Sequence, residues 1–182
     1  IESYALHIRP EGFNLRWERD SCGNDVACIG FLDRLTHFDI EVSLIADMTA
    51  YDPLLQTCSS EDQDDSSLDD YSMPPDCGPE VRDFLSNYSL GMSGDMLGDM
   101  MAINRGIAKQ VSYQRRLEPG VWSAEETLRN GAGSCRDSAW LFVNMARYLG
   151  HAARFVSGYL IQSAITADGE EVLTGELHAW EQ

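Results

Sequence analysis

The sequence predicts an α+β protein in which a β-rich N-terminal part precedes a group of helices and two final strands. Apolar residues alternate with a period of two over roughly the first fifty residues, recur at helical spacing from 79 to 150, and alternate again towards the end. The chain has 182 residues, of which 43% are hydrophobic and 24% charged. This ordinary globular composition excludes overall disorder, collagen and coiled coil, and the length allows one medium or two small domains.

The N-terminal part, residues 1–56, contains three alternating runs, centred on Leu6, Leu15 and Val42. Polar residues fill many of the intervening positions, as in half-buried antiparallel strands. Two segments are rich in turn formers and predict reversals, Pro10-Glu11-Gly12 and Cys22-Gly23-Asn24-Asp25. We therefore expect a small antiparallel β-sandwich or a meander.

An acidic linker is predicted at 57–79, because this segment is polar and punctuated by proline. From Leu35 to Val81 there are twelve acidic residues and no Lys or Arg. A block of this kind most often marks a solvated connector, and binding of a cationic partner is the less favoured alternative. The third predicted region is a core over 80–182.

Four helices and two strands are predicted in this core. The helices start at the following residues: Pro79, Ser93 or Asp95, Ser123, and Ser134. The fourth helix ends near Gly150 and is apolar around most of its circumference, which indicates a central position. The strands are expected over Arg154–Ile161 and Val172–Trp180, with a turn at 167–170.

Charge and cysteine usage limit the partners. The net charge is −17, with 13 Lys or Arg against 30 Asp or Glu, so nucleic acid and anionic membranes are not expected as partners. The chain starts without a secretion signal and has no apolar run of about 20 residues, which predicts a soluble, cytoplasmic protein. Its five cysteines are odd in number and lack a C-x-x-C spacing, so neither a disulfide framework nor a zinc ribbon is predicted. A Cys22–Cys28 bridge and a metal site using His37 are the weaker alternatives, and we expect no metal or cofactor.

Cys135 is the candidate nucleophile. If Ser134 caps the fourth helix, Cys135 lies in the first helical turn, where free N–H groups and the helix dipole lower the pKa of a thiol from about 8.5. The Cys135 backbone N–H would also point towards an oxyanion formed on an attacked carbonyl. A small buried cysteine is the plainer interpretation of this position alone.

A base would have to lie within about 3 Å of the thiol. Of the four histidines, His178 follows the predicted strands that would pack beside the start of the fourth helix. His151 lies at the opposite end of that helix, about 24 Å away at 1.5 Å per residue. His178 is therefore the candidate base.

Four ordered segments resemble the bacterial transglutaminase-like superfamily over roughly residues 80–182. They are Gly120–Leu128, Gly133–Leu141, Ala153–Leu160 and Leu177–Trp180, and the β-rich first part is similar to the N-terminal domain of many bacterial members. The resemblance implies a papain-like fold with Cys135 as nucleophile, His178 as base and an Asp on the following strand. Since Gln182 is four residues past His178, the triad Asp is expected to lie outside these residues, in a C-terminally truncated core. In a regular strand Glu181 points away from the His178 face and is a poor substitute.

The implied reaction is thiol acyl transfer on a peptide or protein amide, with hydrolysis and transamidation both open. Trp122 is a candidate second oxyanion donor, with packing as the more favoured role, while Arg136 and Asp137 are expected to be structural. Trp180 is expected to pack over the site. The alternative function is a non-catalytic peptide-binding module on the same fold.

Overall fold

The computed structural model describes residues 1–49, 69–73, 75, 77–88 and 95–182. The chain divides into two compact units, Ile1–Ser59 and Ser60–Gln182. Antiparallel strands come first, and helices followed by a further antiparallel pair come after them, so the predicted α+β class is confirmed. Within the described ranges, no helix combines the length and apolar character needed to cross a membrane.

The N-terminal unit contains four described strands in two antiparallel pairs. They are β1 (Ser3–Arg9), β2 (Phe13–Arg19), β3 (Asp25–Phe31) and β4 (Asp39–Ile45). Strand β1 pairs with β4, and β2 pairs with β3. The rings of Tyr4 on β1 and Trp17 on β2 meet edge to face at 6.1 Å, so side chains of the two sheets are in contact. A meander is thus the wrong alternative, because the first strand pairs with the last.

Strand β3 is absent from the three predicted runs. Its sequence, Asp25-Val26-Ala27-Cys28-Ile29-Gly30-Phe31, places apolar residues on both faces and no polar residue after Asp25. The alternation of polar and apolar residues is therefore weak in β3. The reversal predicted at 22–25, just before this strand, is present. Pairing with β2, in which Leu15 faces Ile29, makes this segment a strand.

The predicted linker is only partly described, since 57–68, Pro74 and Asp76 lie outside the described residues. Its remaining part differs from the prediction. Residues Asp69–Ser72 form a short helix, α1, and the Tyr71 carbonyl accepts a hydrogen bond of 3.1 Å from the Ala153 N–H. Cys77 is buried among the core side chains. The C-terminal end of the predicted linker is therefore attached to the helical core at Tyr71 and Cys77.

The four predicted helices are present in the second unit. They are α2 (Pro79–Ser86), α3 (Met96–Gln110), α4 (Ala124–Asn130) and α5 (Cys135–Tyr148). The caps follow the sequence signals: Asp95 accepts from the Gly98 N–H, and Ser123 accepts from the Glu126 N–H. Helix α4 ends at Gly131, whose φ of +60° suits glycine.

Helix α5 is central, as predicted. Its Leu141, Val143 and Met145 side chains have no exposed surface, and they pack in two clusters with residues of the surrounding helices. Two short strands, β5 (Ser112–Tyr113) and β6 (Ala132–Gly133), precede α5. The last two strands, β7 (Phe155–Ile165) and β8 (Glu171–Glu181), form an antiparallel hairpin that contacts α5. Both strands are longer than predicted, because ladder pairing continues past the apolar residues to the turn at 167–170.

Candidate active site

The start of α5 is positioned by a short parallel ribbon that periodicity does not reveal. Strand β5 (Ser112–Tyr113) pairs with β6 (Ala132–Gly133), and Gln114 donates its N–H to the Gly133 carbonyl at 2.9 Å. A Cβ at Gly133 would lie 2.9 Å from the Cβ of Asp137, so glycine permits this close approach. The ribbon delivers Ser134 to the N-cap position and half-buried Cys135 to the first helical position.

Asp137 organises the first turn of α5. Its fully buried carboxylate accepts 2.8 Å hydrogen bonds from the Ser134 N–H, the Ser134 hydroxyl and the Trp122 N–H. The Arg116 Nε donates to the same carboxylate at 3.2 Å. Burial acts to raise the pKa of Asp137, but the hydrogen bonds from Trp122 and Ser134 and the charge of Arg116 outweigh it, and the pKa lies below its ordinary value. Asp137 is therefore a buried, ionised anchor, in agreement with the structural role predicted for it.

The loop from Gln114 to Trp122 is held over the N-terminus of α5. The Arg116 guanidinium stacks on the Trp122 ring at 4.1 Å from its centroid, and its side chain is only 5% exposed. From the helix side, Arg136 donates to the Arg116 and Glu118 carbonyls at 3.3 and 3.1 Å. Sequence analysis did not identify Arg116. The available signal was the concentration of Arg115, Arg116 and Arg136 in a chain with few basic residues.

Cys135 and His178 lie together in the walls of two cavities, although they are 43 residues apart. The larger cavity has a volume of about 830 Å³ and is also lined by Arg115, Arg136 and Glu176. The smaller one measures about 270 Å³ and reaches Ser138 and Trp180. The structure thus brings the N-terminus of α5 and strand β8 to the same clefts.

The hairpin presents His178 beside a small residue. His178 lies opposite Gly158 in the β7–β8 register. A Cβ at Gly158 would be 2.6 Å from the Cη2 of Trp180, so the indole occupies the space that the missing side chain leaves. Trp180 lines the smaller cavity together with His178.

Glu181 also lines the smaller cavity. Alternation along β8 places it on the face opposite His178, as expected for a regular strand. The cavity nevertheless extends to both faces at this end of the hairpin, since His178, Ala179, Trp180 and Glu181 all contribute to its wall. Burial raises the pKa of the Glu181 carboxyl.

The structure separates Trp122 from this group. Its backbone N–H is bonded to Asp137, and Trp122 does not line either cavity shared by Cys135 and His178. The ring packs on Arg116 instead. The geometry therefore favours the packing role over the oxyanion role for Trp122.

A cysteine at the start of a buried central helix, in the same cavities as a histidine on an antiparallel strand, is typical of the cysteine-enzyme folds related to papain. A model of the transglutaminase-like superfamily matches residues 85–182, and the chain belongs to this superfamily. The structure is similar to that of a putative cysteine protease from Cytophaga hutchinsonii, with a TM-score of 0.65 and 19% sequence identity. The match covers 98% of this chain and 60% of that protein's chain, and at this identity it shows the fold alone. No curated protein matches the chain.

Proposed function

We propose that this protein is a cysteine acyl-transfer enzyme acting on peptide or protein amides, with Cys135 as nucleophile and His178 as base. The observation that carries the proposal is the presence of both side chains in the walls of the same two cavities. Membership of the transglutaminase-like superfamily and the position of Cys135 at the first residue of α5 support it.

The proposed first step forms a thioester. The Cys135 thiolate attacks the amide carbonyl carbon, and the carbonyl oxygen becomes an oxyanion near the first-turn N–H groups of α5. Protonated His178 then gives its proton to the amide nitrogen as the C–N bond breaks, and an amine leaves. The acyl group remains on the Cys135 sulfur.

The second step consumes the thioester. His178 takes a proton from water, and the resulting hydroxide oxygen attacks the thioester carbonyl. The carbon–sulfur bond breaks, the Cys135 sulfur leaves as a thiolate, and the carboxylic acid that forms releases its remaining proton to solvent. His178 is then again protonated for the next cycle. A primary amine in place of water would give a new amide, which is transamidation. The larger cavity, at about 830 Å³, has room for an extended peptide segment beside Cys135, and its wall carries the exposed side chains of Arg115, Glu176 and Leu177.

Selective alkylation tests the Cys135–His178 pair. Iodoacetamide at pH 6 is expected to label Cys135 much faster than the other thiols, and His178→Ala should remove that preference. Two cysteines are useful internal references: Cys22 is exposed, and Cys77 is buried. The Cys28 thiol donates to the Glu18 carboxylate, which raises its pKa, so it should react slowly. Equal labelling of Cys135 and Cys22, unchanged by His178→Ala, would contradict the proposal and favour a binding module.

The reaction type can be read from the products. The protein is incubated with casein and a fluorescent primary amine, and a Cys135→Ser variant serves as the control. Covalent incorporation of the amine indicates transamidation, new peptide N-termini indicate peptidase activity, and ammonia release alone indicates hydrolysis of side-chain amides. The Cys135→Ser variant should show none of these products, and equal product formation by this variant would contradict the assignment of the nucleophile.

A further inference from the structure

We propose that Arg116 is an electrostatic positioning residue for Cys135: its guanidinium neutralises the Asp137 carboxylate, so that this buried anion does not oppose a thiolate two residues away. The inference deepens the proposed function and takes from it only the role of Cys135 as the reactive thiol. Arg116 is not a catalytic residue in this scheme, since it acts through Asp137.

The need for compensation follows from the first turn of α5. The N-terminal turn of a helix favours a thiolate through its free N–H groups and dipole. Asp137, at the third helical position, places a carboxylate with no exposed surface in that same turn. A like charge in a buried environment disfavours ionisation of its neighbour, so an uncompensated Asp137 would counteract the effect of the helix on Cys135.

The Arg116–Asp137 ion pair is buried and held in one position by its neighbours. The Arg116 side chain is 5% exposed, and its Nε lies 3.2 Å from Oδ2 of Asp137. Trp122 contacts both partners, because its N–H donates to Oδ1 of Asp137 and its ring lies against the guanidinium. The Arg116–Asp137 pair is buried, so water screens its charges only weakly, and their electrostatic effect on Cys135 is correspondingly strong.

Other ionisable groups also surround Cys135. Those that line the two cavities with it, besides Arg116, are Tyr113, Arg115, Arg136, Glu176, His178 and Glu181. The Arg136 guanidinium is already bonded to two carbonyl oxygens, and the Arg115 and Glu176 residues are exposed, where solvent screens them. Arg116 is the described cation that contacts the Asp137 carboxylate directly.

A purely structural role makes a different prediction. If the pair only anchors the loop from Gln114 to Trp122, removal of either partner should disturb Cys135 in the same direction. If the charges of the pair act on Cys135, loss of Arg116 leaves the Asp137 anion uncompensated near the thiol. Neutralisation of Asp137 leaves the Arg116 cation uncompensated there. The two changes should then act on thiolate formation with opposite signs.

The test measures iodoacetamide alkylation of Cys135 in the full chain carrying His178→Ala, with exposed Cys22 as the reference. The His178→Ala background isolates the thiol from its proposed base, so failure of the proposed dyad would not alter this result. At pH 7, Arg116→Gln should slow Cys135 labelling by about tenfold and Asp137→Asn should accelerate it several-fold. The double variant should return to within about twofold of the parent.

Arg116→Lys provides the matched control. It retains the positive charge but not the planar fork, so the labelling rate should stay near that of the parent even if stability falls. Far-ultraviolet circular dichroism verifies that each variant is folded. Shifts of the same sign in Arg116→Gln and Asp137→Asn, or a slow Arg116→Lys variant that retains its helix content, would overturn the proposal. If Arg116→Gln does not fold, the rates of Asp137→Asn and Arg116→Lys decide the question.

Discussion

The two sides of the candidate active site are built differently. The side that carries Cys135, here called the thiol wall, consists of the loop 114–122 and the start of α5 at 133–137. It is held by buried polar groups that converge on Asp137. The side that carries His178, here called the hairpin wall, is the base of the β7–β8 hairpin at 155–158 and 176–181. Most of the hairpin's side chains are exposed. The hairpin is held by its own ladder, by Arg154–Gln182 hydrogen bonds and by contacts of its base with α5.

This difference predicts that mutations in the two walls have different effects on the stability of the protein and on the reactivity of Cys135. A change at Asp137 or at its partners in the thiol wall disturbs buried groups that cannot find replacement partners in water. A change in the hairpin wall disturbs groups that solvent can partly satisfy. We therefore expect mutations of the groups that bind Asp137 to lower the stability of the protein, and mutations near His178 to alter the chemistry of the site at a smaller cost in stability.

The largest effect is expected for Asp137→Ala. Removal of this carboxylate leaves Arg116 buried without its partner and frees the Trp122 and Ser134 donors. The free energy of unfolding should fall by about 3–5 kcal/mol. Urea denaturation followed by circular dichroism measures the change. Asp83→Ala, at an exposed position of α2, is the control and should change stability by about 0.5 kcal/mol or less.

A pair of leucines compares the two regions directly. Leu141 on α5 has no exposed surface, and its truncation to alanine should cost about 2–5 kcal/mol. Leu177 on β8 is 76% exposed, and Leu177→Ala should cost about 0.5 kcal/mol or less. Equal losses in urea denaturation would show that the hairpin wall is packed as tightly as α5, and would contradict the difference between the two walls.

Gly158→Ala tests the support of His178. The added methyl group would meet the Trp180 ring, which is 40% exposed and can move aside. We expect a stability loss of about 1 kcal/mol, a change in tryptophan fluorescence, and slower His178-dependent labelling of Cys135. Gly175→Ala, on the same hairpin with open space at its Cβ, is the matched control. Equal rates of Cys135 labelling in Gly158→Ala and Gly175→Ala would show that Trp180 does not help to position His178.

Asp137 in the thiol wall and Glu181 in the hairpin wall should contribute to the pH dependence of stability with opposite signs. The pKa of Asp137 is lowered, so its contribution to stability is complete above the ordinary carboxyl range of about 4 and is lost as pH falls through the folded-state pKa. The stability advantage of the wild-type protein over Asp137→Asn should therefore shrink on acidification. The pKa of Glu181 is raised in the folded protein, so the unfolded chain loses this proton at a lower pH than the folded protein does. The free energy of unfolding therefore falls as pH rises from the unfolded-state pKa to the folded-state pKa.

Glu181→Gln should accordingly become more stable relative to the wild-type protein between about pH 4 and pH 7. Comparison of each variant with the wild-type protein cancels the contribution of the many surface carboxylates. Unfolding free energies measured in urea at several pH values provide the test. Slopes of the same sign for Asp137→Asn and Glu181→Gln would contradict the environments assigned to the two carboxyl groups.

The elements with strong local signals were predictable. Ser123 and Asp95 cap helices where the sequence indicates, and the apolar circumference of α5 corresponds to its central position. Strand β3 and the β5–β6 ribbon were missed, because both depend on partners distant in sequence more than on their own patterns. The part of the predicted linker near Cys77 packs into the core for a similar reason.

By itself, the sequence determined the order of the elements and the first-turn position of Cys135, because capping residues and periodicity act over a few neighbouring residues. The role of His178 as the base stays a prediction. Only the tertiary structure decided that Arg116 and Trp122 converge on Asp137 and that Glu181 reaches the cavity of Cys135 and His178. Those contacts join residues from separate elements, and their partners depend on how the elements pack in three dimensions.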